Sequence, residues 1–227
     1  MSTVAIISAM EGEIAPLVRD WPVRRFTHEG RTFRVRGQGD FVAIAGGIGR
    51  AAATRAANAV MAQYHPQMLV SVGVAGALER ELKVGTLFIP SVIVDSLSNI
   101  QYRTGLGAGV LVTASQVVDN SAKQQLHHQF QAQAVDMEAA AVVEAARIQG
   151  AQFRCVKAIS DELDFEMPPL NRFVDAEGRF HTGRFVAWAA FRPRRWPSIL
   201  QLARNTAKAS AALCEWLSYA DRMELRP

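Results

Sequence analysis

The sequence has 227 residues, 49% hydrophobic and 20% charged, which excludes a disordered or fibrous chain and suits one domain with a packed core. Its formal charge of +4 is a local excess gathered in Arg192, Arg194, Arg195, Arg204 and Lys208, and with no recognition motif beside it nucleic-acid binding is not expected. Two cysteines, Cys155 and Cys214, sit in apolar patterns without disulfide or metal-ligand spacing, which excludes a stapled secreted domain and suits a reducing cytoplasm.

In chain order, the opening MSTVAIISAMEGE carries no basic leader, and its apolar run is broken by Ser8 and Glu11, so no secretory leader is expected. Val4 to Ser8, Thr32 to Arg36 and Phe41 to Ala45 read as strands. AGGIGRAAA ends a strand and opens an alanine-rich helix, Arg50 to Tyr64, which His65 and Pro66 terminate because proline disfavours helical geometry in the residue before it. The strand Met68 to Val72 runs into the glycine turn VGVAGAL, where backbone must come close to something. Leu87 to Val94 reads as a further strand, and Asp95 to Gly109, with three glycines and little periodicity, as a loop. The helix Met137 to Gln149 and the strand Arg154 to Ile159 follow. An irregular stretch, Glu162 to Thr182, leads to a last helix, Ser198 to Ser218. Alternating strands and helices predict a single-domain three-layer α/β/α sandwich with a central mixed, largely parallel sheet. No stretch is long enough to span a membrane, and the two long loops are candidates for lids or binding walls.

The blocks IISAMEGE, AGGIGR, VGVAGAL, VDMEAAA and AISDE fall at strand ends, where open α/β sheets place their ligands. Three acids stand out. Glu138 opens an apolar helix, as a charge favoured by the helix dipole or as a receptor for vicinal hydroxyls. Asp161 follows an apolar strand, where a carboxylate can lose water contact and its pKa rise; the other reading is that Asp161 or Ser160 caps a turn. Glu13 is either a first-turn helix acid or a functional group after a strand. The five histidines form no ligand pattern with carboxylates, so no metal is expected.

Taken in order, these blocks resemble the nucleoside phosphorylase and nucleosidase family, and within it the methylthioadenosine/adenosylhomocysteine nucleosidases. The resemblance runs from Val4 through Asp161, with the C-terminal helix in the expected place. It implies the phosphorylase/hydrolase-like sandwich and an enzyme that breaks the bond between a purine base and a ribosyl group. Carried over residue by residue, it implies that Glu13 positions or deprotonates the attacking water. Met137 and Glu138 then hold the ribosyl group, and Asp161, helped by Ser160, protonates the purine at N7. Ser8, Gly47, Val74, Ala75 and Gly76 fall on blocks that the resemblance places around the substrate. It implies no cofactor, phosphate staying open as a co-substrate, and a homodimer or larger assembly.

The chain also departs from the family. Phosphate-binding arginine and serine positions of the purine phosphorylases fall on Ser71 and Val74 here, which favours water as nucleophile unless Arg50 or another arginine restores anion binding. The insert that methylthioadenosine nucleosidases carry after Val94 is missing, so a more open pocket is expected. Val117 or Val118 stands where that family stacks a phenylalanine on the base, and Phe165 is the candidate replacement, as a base-stacking face or as simple packing. The segment RFHTGRFVAWAAFRPRRWPSILQLARNTAKAS is similar to the hopanoid-associated phosphorylases, a short branch linked to removal of adenine from adenosylhopane. That likeness implies a lipid-linked nucleoside as substrate and peripheral contact with the inner membrane face through Trp188, Phe191 and Trp196 beside the arginines. The other reading makes those aromatics core and the arginines a solvated face. Methylthioadenosine or adenosylhomocysteine hydrolysis is the second enzymatic reading, and a noncatalytic nucleoside-binding protein the alternative from another class.

Overall fold

The computed structural model describes residues 3–220. Strand β1 (Val4–Ser8) is buried along its whole length and leads into helix α1 (Glu11–Val18). A hairpin of β2 (Val23–His28) and β3 (Arg31–Gln38) then turns back into β4 (Phe41–Ala45). Helix α2 (Arg50–Tyr64) returns the chain to the ten-residue strand β5 (Met68–Ala77). The expected strand Leu87 to Val94 is two, β6 (Leu87–Phe88) and β7 (Val92–Asp95), because Pro90 between them cannot donate to a ladder. The expected loop after it holds β8 (Gln101–Arg103), hydrogen-bonded antiparallel to β7. There follow β9 (Val110–Thr113), α3 (Asn120–Phe130), β10 (Ala134–Asp136), α4 (Ala139–Ile148), β11 (Gln152–Asp161), α5 (Thr182–Ala190) and α6 (Trp196–Ala220).

Strand alternation makes the three layers. Ala5 and Ile7 of β1, Leu69 of β5 and Phe153 and Cys155 of β11 join one core with Ala53, Ala56 and Val60 of α2 and Val142 of α4. Their neighbours Val4, Ile6, Met68, Val70, Val156 and Ala158 join the other, with Ile14 and Val18 of α1 and Ala209, Leu213 and Leu217 of α6. Alanines let α2 lie close to the sheet, and Gly46 carries this furthest: a Cβ there would sit 2.6 Å from that of Ala56.

Parallel pairing occupies the centre, in β4–β1–β5–β11 and in β10–β9–β7, with antiparallel strands at the edges and a β5–β10 seam. Strand β5 pairs β1 through Met68 to Ser71 and then β10 at Gly76 and Ala77. Where β1 leaves and β10 arrives, the carboxyl ends of β1, β5 and β11 and the Asp136–Glu138 corner converge on one opening.

Candidate active site

A cavity of about 400 Å³ fills this opening, with Glu13, Glu138 and Asp161 all in its wall. Each acid is held there by a different local device.

The side chain of Glu138 makes no capping bond to its helix. The helix starts at Ala139, two residues later than the sequence suggests, and its first amides are taken by others: Asp136 Oδ2 accepts from the Ala139 amide at 2.8 Å, and Thr113 Oγ1 from Ala140 at 3.0 Å. Thr113 donates in turn to Asp136 Oδ1 at 2.7 Å. Glu138 is thereby free to reach across the cavity floor, where its Oε1 accepts from the Gly49 amide at 2.7 Å. Burial, reinforced by the Asp136 charge, pushes its carboxyl up to about 7.

Glu13 serves both its helix and the cavity. Its Oε2 accepts from the amides of Ala9 at 3.0 Å and Met10 at 3.1 Å, which ties the end of β1 to the first turn of α1. The carboxylate also lies against β5 at Gly73, whose φ of 142° and missing side chain make room for it; a Cβ there would stand 3.1 Å from Oε2. Burial raises the Glu13 pKa, opposed by the Met10 amide, the Lys157 charge and the amides of Val74 and Ala9. Lys157 comes from β11 and pairs with Asp136 at 2.9 Å, both side chains at 1% exposure or less. Burial alone would lower its pKa, but Asp136, Cys155 and Glu138 together raise it and keep it an ammonium.

Asp161 ends β11 beyond a register shift against β5. It caps no turn. Ser160 Oγ donates to its Oδ1 at 2.8 Å, and the ammonium of Lys123, from α3, donates to its Oδ2 at 2.5 Å. The second glycine of VGVAGAL is matched to it, since a Cβ on Gly76 would lie 2.8 Å from Asp161 Oδ2. The backbone approaches foreseen in VGVAGAL are thus approaches to two carboxylates.

Of the other residues singled out in the sequence, Val74, Ala75, Gly76, Val118, Met137 and Ser160 also line the cavity. Ser8, Gly47 and Phe165 do not. The Ser8 hydroxyl is buried and donates to the Met10 carbonyl at 3.2 Å, shaping the turn into α1. Gly47 is roofed by the loop carbonyls of Glu177 and Gly178, and it is Ile48 that reaches the cavity. Phe165 sits in a turn closed by its own amide on the Glu162 carbonyl, and the aromatic wall is made instead by Phe180 and Phe185. Of the two long loops, Asp95 to Gly109 contributes nothing to the wall, whereas Glu162 to Thr182 supplies Met167, Leu170 and Phe180. That second loop is clamped to the Val117 backbone by Asn171, which accepts from its amide at 2.8 Å and donates to its carbonyl at 2.9 Å. Sequence reasoning missed Lys123, Lys157 and Asp136. Lys157 left a trace, as the one ionisable residue between Cys155 and Ser160 in an apolar strand; Lys123 left none.

Arg50 is committed elsewhere, to Asp95 at 2.6 Å and Glu144 at 2.6 Å. No lysine, arginine or histidine lines the cavity among the described residues. The polar half of the wall is therefore electronegative, with Lys123 and Lys157 behind it against the carboxylates of Glu13, Asp136, Glu138 and Asp161. Such a surface suits a group that becomes cationic as it reacts.

The sequence profile of the Phosphorylase superfamily matches residues 3–107 and 96–182. The chain belongs to the phosphorylase superfamily. A superfamily relative, the 5′-methylthioadenosine/S-adenosylhomocysteine nucleosidase of Marinomonas sp. (strain MWYL1), is 34% identical over 98 residues, 41% of this chain and 42% of that protein, so the match spans about two fifths of the relative's length. Among solved structures, futalosine hydrolase of Helicobacter pylori strain 26695 superposes with a TM-score of 0.72 at 18% identity, covering 98% of each chain. The H. pylori 5′-methylthioadenosine/S-adenosylhomocysteine nucleosidase with butyl-thio-DADMe-Immucillin-A gives 0.73 at 18% identity over 98% of this chain and 99% of that one. These two likenesses show a shared fold over nearly the whole chain.

The buried acids leave a mark on the stability of this superfamily member. A carboxyl whose folded pKa lies above its unfolded value stabilises the fold fully below the unfolded value, and that contribution is lost as pH rises through the folded one. For Glu138 the window runs from 4.5 to about 7. The protein is therefore expected to lose stability relative to Glu138→Gln between these values, by on the order of 2 to 4 kcal/mol. Parallel melting curves for the two proteins across that range would show that Glu138 does not titrate there.

Proposed function

We propose that the protein hydrolyses the N-glycosidic bond of a 5′-substituted adenosine, releasing adenine, and that the 5′-substituent is a bulky apolar group, adenosylhopane in hopanoid biosynthesis being the substrate. The observation that carries this reading is the polarity of the cavity. Its wall combines the three buried acids with the half-buried apolar side chains of Met167, Leu170, Phe180, Phe185, Ile199 and Leu202. Asp161 marks the purine end, Glu138 and Met137 the ribosyl group, and Glu13 the water. Leaving-group protonation, hydroxyl capture and nucleophile activation then come from three separate groups around a cationic ribosyl centre. A noncatalytic binding protein has no need of this division.

Water is the acceptor in this reading. A phosphate dianion entering a wall of carboxylates without a facing cation would be repelled, and Arg50, the candidate to restore anion binding, is spent on Asp95 and Glu144. Methylthioadenosine or adenosylhomocysteine hydrolysis is the second reading, favoured by the likeness to the Marinomonas nucleosidase. The deciding experiment is adenine release from methylthioadenosine, adenosylhomocysteine and adenosylhopane in detergent, each with and without phosphate. Release confined to adenosylhopane and indifferent to phosphate is expected; brisk turnover of the small thioethers favours the second reading, and no release from any points to a binding protein.

A lipid-linked substrate places the enzyme on the cytoplasmic side, against the inner membrane face. Helix α5 has no buried residue. Together with the start of α6 it turns Phe185, Ile199 and Leu202 to the cavity, while Phe191 is 85%, Leu200 54% and Trp196 49% exposed. Trp188 alone joins an aromatic cluster, with Phe173 and Phe185, and Arg192 covers its ring at 4.8 Å. Exposed aromatics amid Arg192, Arg194 and Arg195 fit a headgroup boundary. No helix among the described residues is long and apolar enough to cross a membrane. Replacing the three arginines with glutamine is expected to weaken binding to anionic vesicles, by about 1 kcal/mol per charge at low salt and less at high salt. Unchanged sedimentation with vesicles would make this face ordinary surface.

A further inference from the structure

Lys123 is 1% exposed and its charge is buried against that of Asp161. Its place is rigidly set: Asp119 caps α3 by accepting from the Ala122 amide at 2.9 Å, and the Lys123 amide closes the next bond on the Asp119 carbonyl at 2.8 Å. From there the ammonium donates to Asp161 Oδ2 at 2.5 Å and to the Glu162 carbonyl at 2.9 Å. A buried ion pair costs desolvation, and an apolar pair of similar volume would hold α3 as well or better. The pair is therefore poorly explained by stability, and its other partner is the acid at the purine end of the cavity.

The hydrogen bonding poses a chemical problem that Lys123 answers. Asp161 accepts from Ser160 on one oxygen and from Lys123 on the other, so in this arrangement the proton that the purine must receive resides on the lysine. We propose that Lys123 is a positioning residue that holds this proton and passes it through Asp161 to the departing base, an inference that rests on reading the cavity as an adenine-releasing site. As the C1′–N9 bond breaks, its electron pair moves into the purine. N7 takes a proton from Asp161 while one moves from Lys123 Nζ to Asp161 Oδ2. Asp161 remains a carboxylate and Lys123 becomes a neutral amine. Water forms the new C1′–O bond and gives its proton to Glu13. After the products leave, Glu13 loses that proton to solvent and Lys123 regains one through Asp161, which closes the balance.

Two variants and two bases test this. Lys123→Gln keeps an N–H donor to Asp161 but has no proton to give. Lys123→Arg keeps the charge and the pairing but holds its proton too tightly to release it. For each, kcat and KM are measured on the adenine nucleoside that the native protein turns over fastest and on its 2-fluoroadenine counterpart, whose better leaving group needs protonation less. Both variants are expected to lose about a hundredfold in kcat on adenine with little change in KM, and about tenfold less than that on 2-fluoroadenine. If Lys123→Gln fails to melt cooperatively, Lys123→Arg carries the comparison alone. Near-native kcat in Lys123→Arg, or an equal loss on the two bases, reduces Lys123 to a structural counter-ion and overturns the inference alone. No adenine release by the native protein overturns the reading of the site and this inference with it.

Discussion

On the proposed reading, Asp161→Asn is expected to lower the rate of adenine release at saturating substrate by about a hundredfold or more, with a much smaller change in KM, since it removes the proposed proton donor and not binding surface. The asparagine oxygen can still accept from Lys123 while its amide donates to the Ser160 hydroxyl, which turns from donor to acceptor, so the cavity keeps its shape. Its charge is gone, however, and a lysine at 1% exposure is left without a counter-ion. Breaking a buried pair from one side typically costs about 3 to 5 kcal/mol, so the variant should also melt at a visibly lower temperature, by roughly 6 to 20 °C for a chain of this size. The two readouts are independent. Near-normal turnover in a rapid-mixing assay would remove Asp161 from the mechanism. Unchanged melting would instead mean that Lys123 and Asp161 are not paired in solution.

The parts of the fold that the sequence foretold are those whose signal is local. Val4–Ser8, Phe41–Ala45 and Arg50–Tyr64 were legible to the residue, the first as a short β-branched run, the second between Asp40 and Gly46, and the third between Gly49 and the His65–Pro66 stop. Helix α1 was obscured by Gly12 and by Pro16 inside it, and β10 is too short at three residues to show a period. Helix α5 turns only a half-buried face inward, Phe185, Trp188 and Ala189, too few positions to stand out among the aromatics and arginines around it. At the site, what could not be read is who pairs with whom. Whether Glu138 caps its helix or faces a ligand turns on Asp136 and Thr113 taking the capping role, and Thr113 is far away in sequence. The aromatic wall depends on the loop folding back through Asp175, which accepts from the amides of Glu177 and Arg179 and brings Phe180 inward where Phe165 had been the candidate. Lys123 is separated from Asp161 by 38 residues, and on its own helix it looks like any solvated lysine.

Glu13→Gln separates the amide bonds that this side chain makes in the structure from the water activation proposed for it. The glutamine carbonyl oxygen can still accept from the Ala9 and Met10 amides, so the turn from β1 into α1 survives and the protein should fold. What the variant lacks is a base. Burial raises the Glu13 pKa above the ordinary carboxylate value, which brings its proton affinity nearer to that required for taking a proton from water at neutral pH. Turnover by water is therefore expected to fall by about a hundredfold to ten-thousandfold with KM nearly unchanged. A nucleophile that has no proton to lose escapes this requirement, and removing one negative charge eases an anion's entry. Added azide should accordingly restore part of the adenine release in Glu13→Gln, with ribosyl azide as the second product, while doing little for the native protein. A variant that keeps its rate in water would confine Glu13 to capping α1 and leave Glu138, which titrates near 7, as the base. A slow variant that azide cannot rescue would mean that Glu13 stabilises the ribosyl cation by charge rather than activating water.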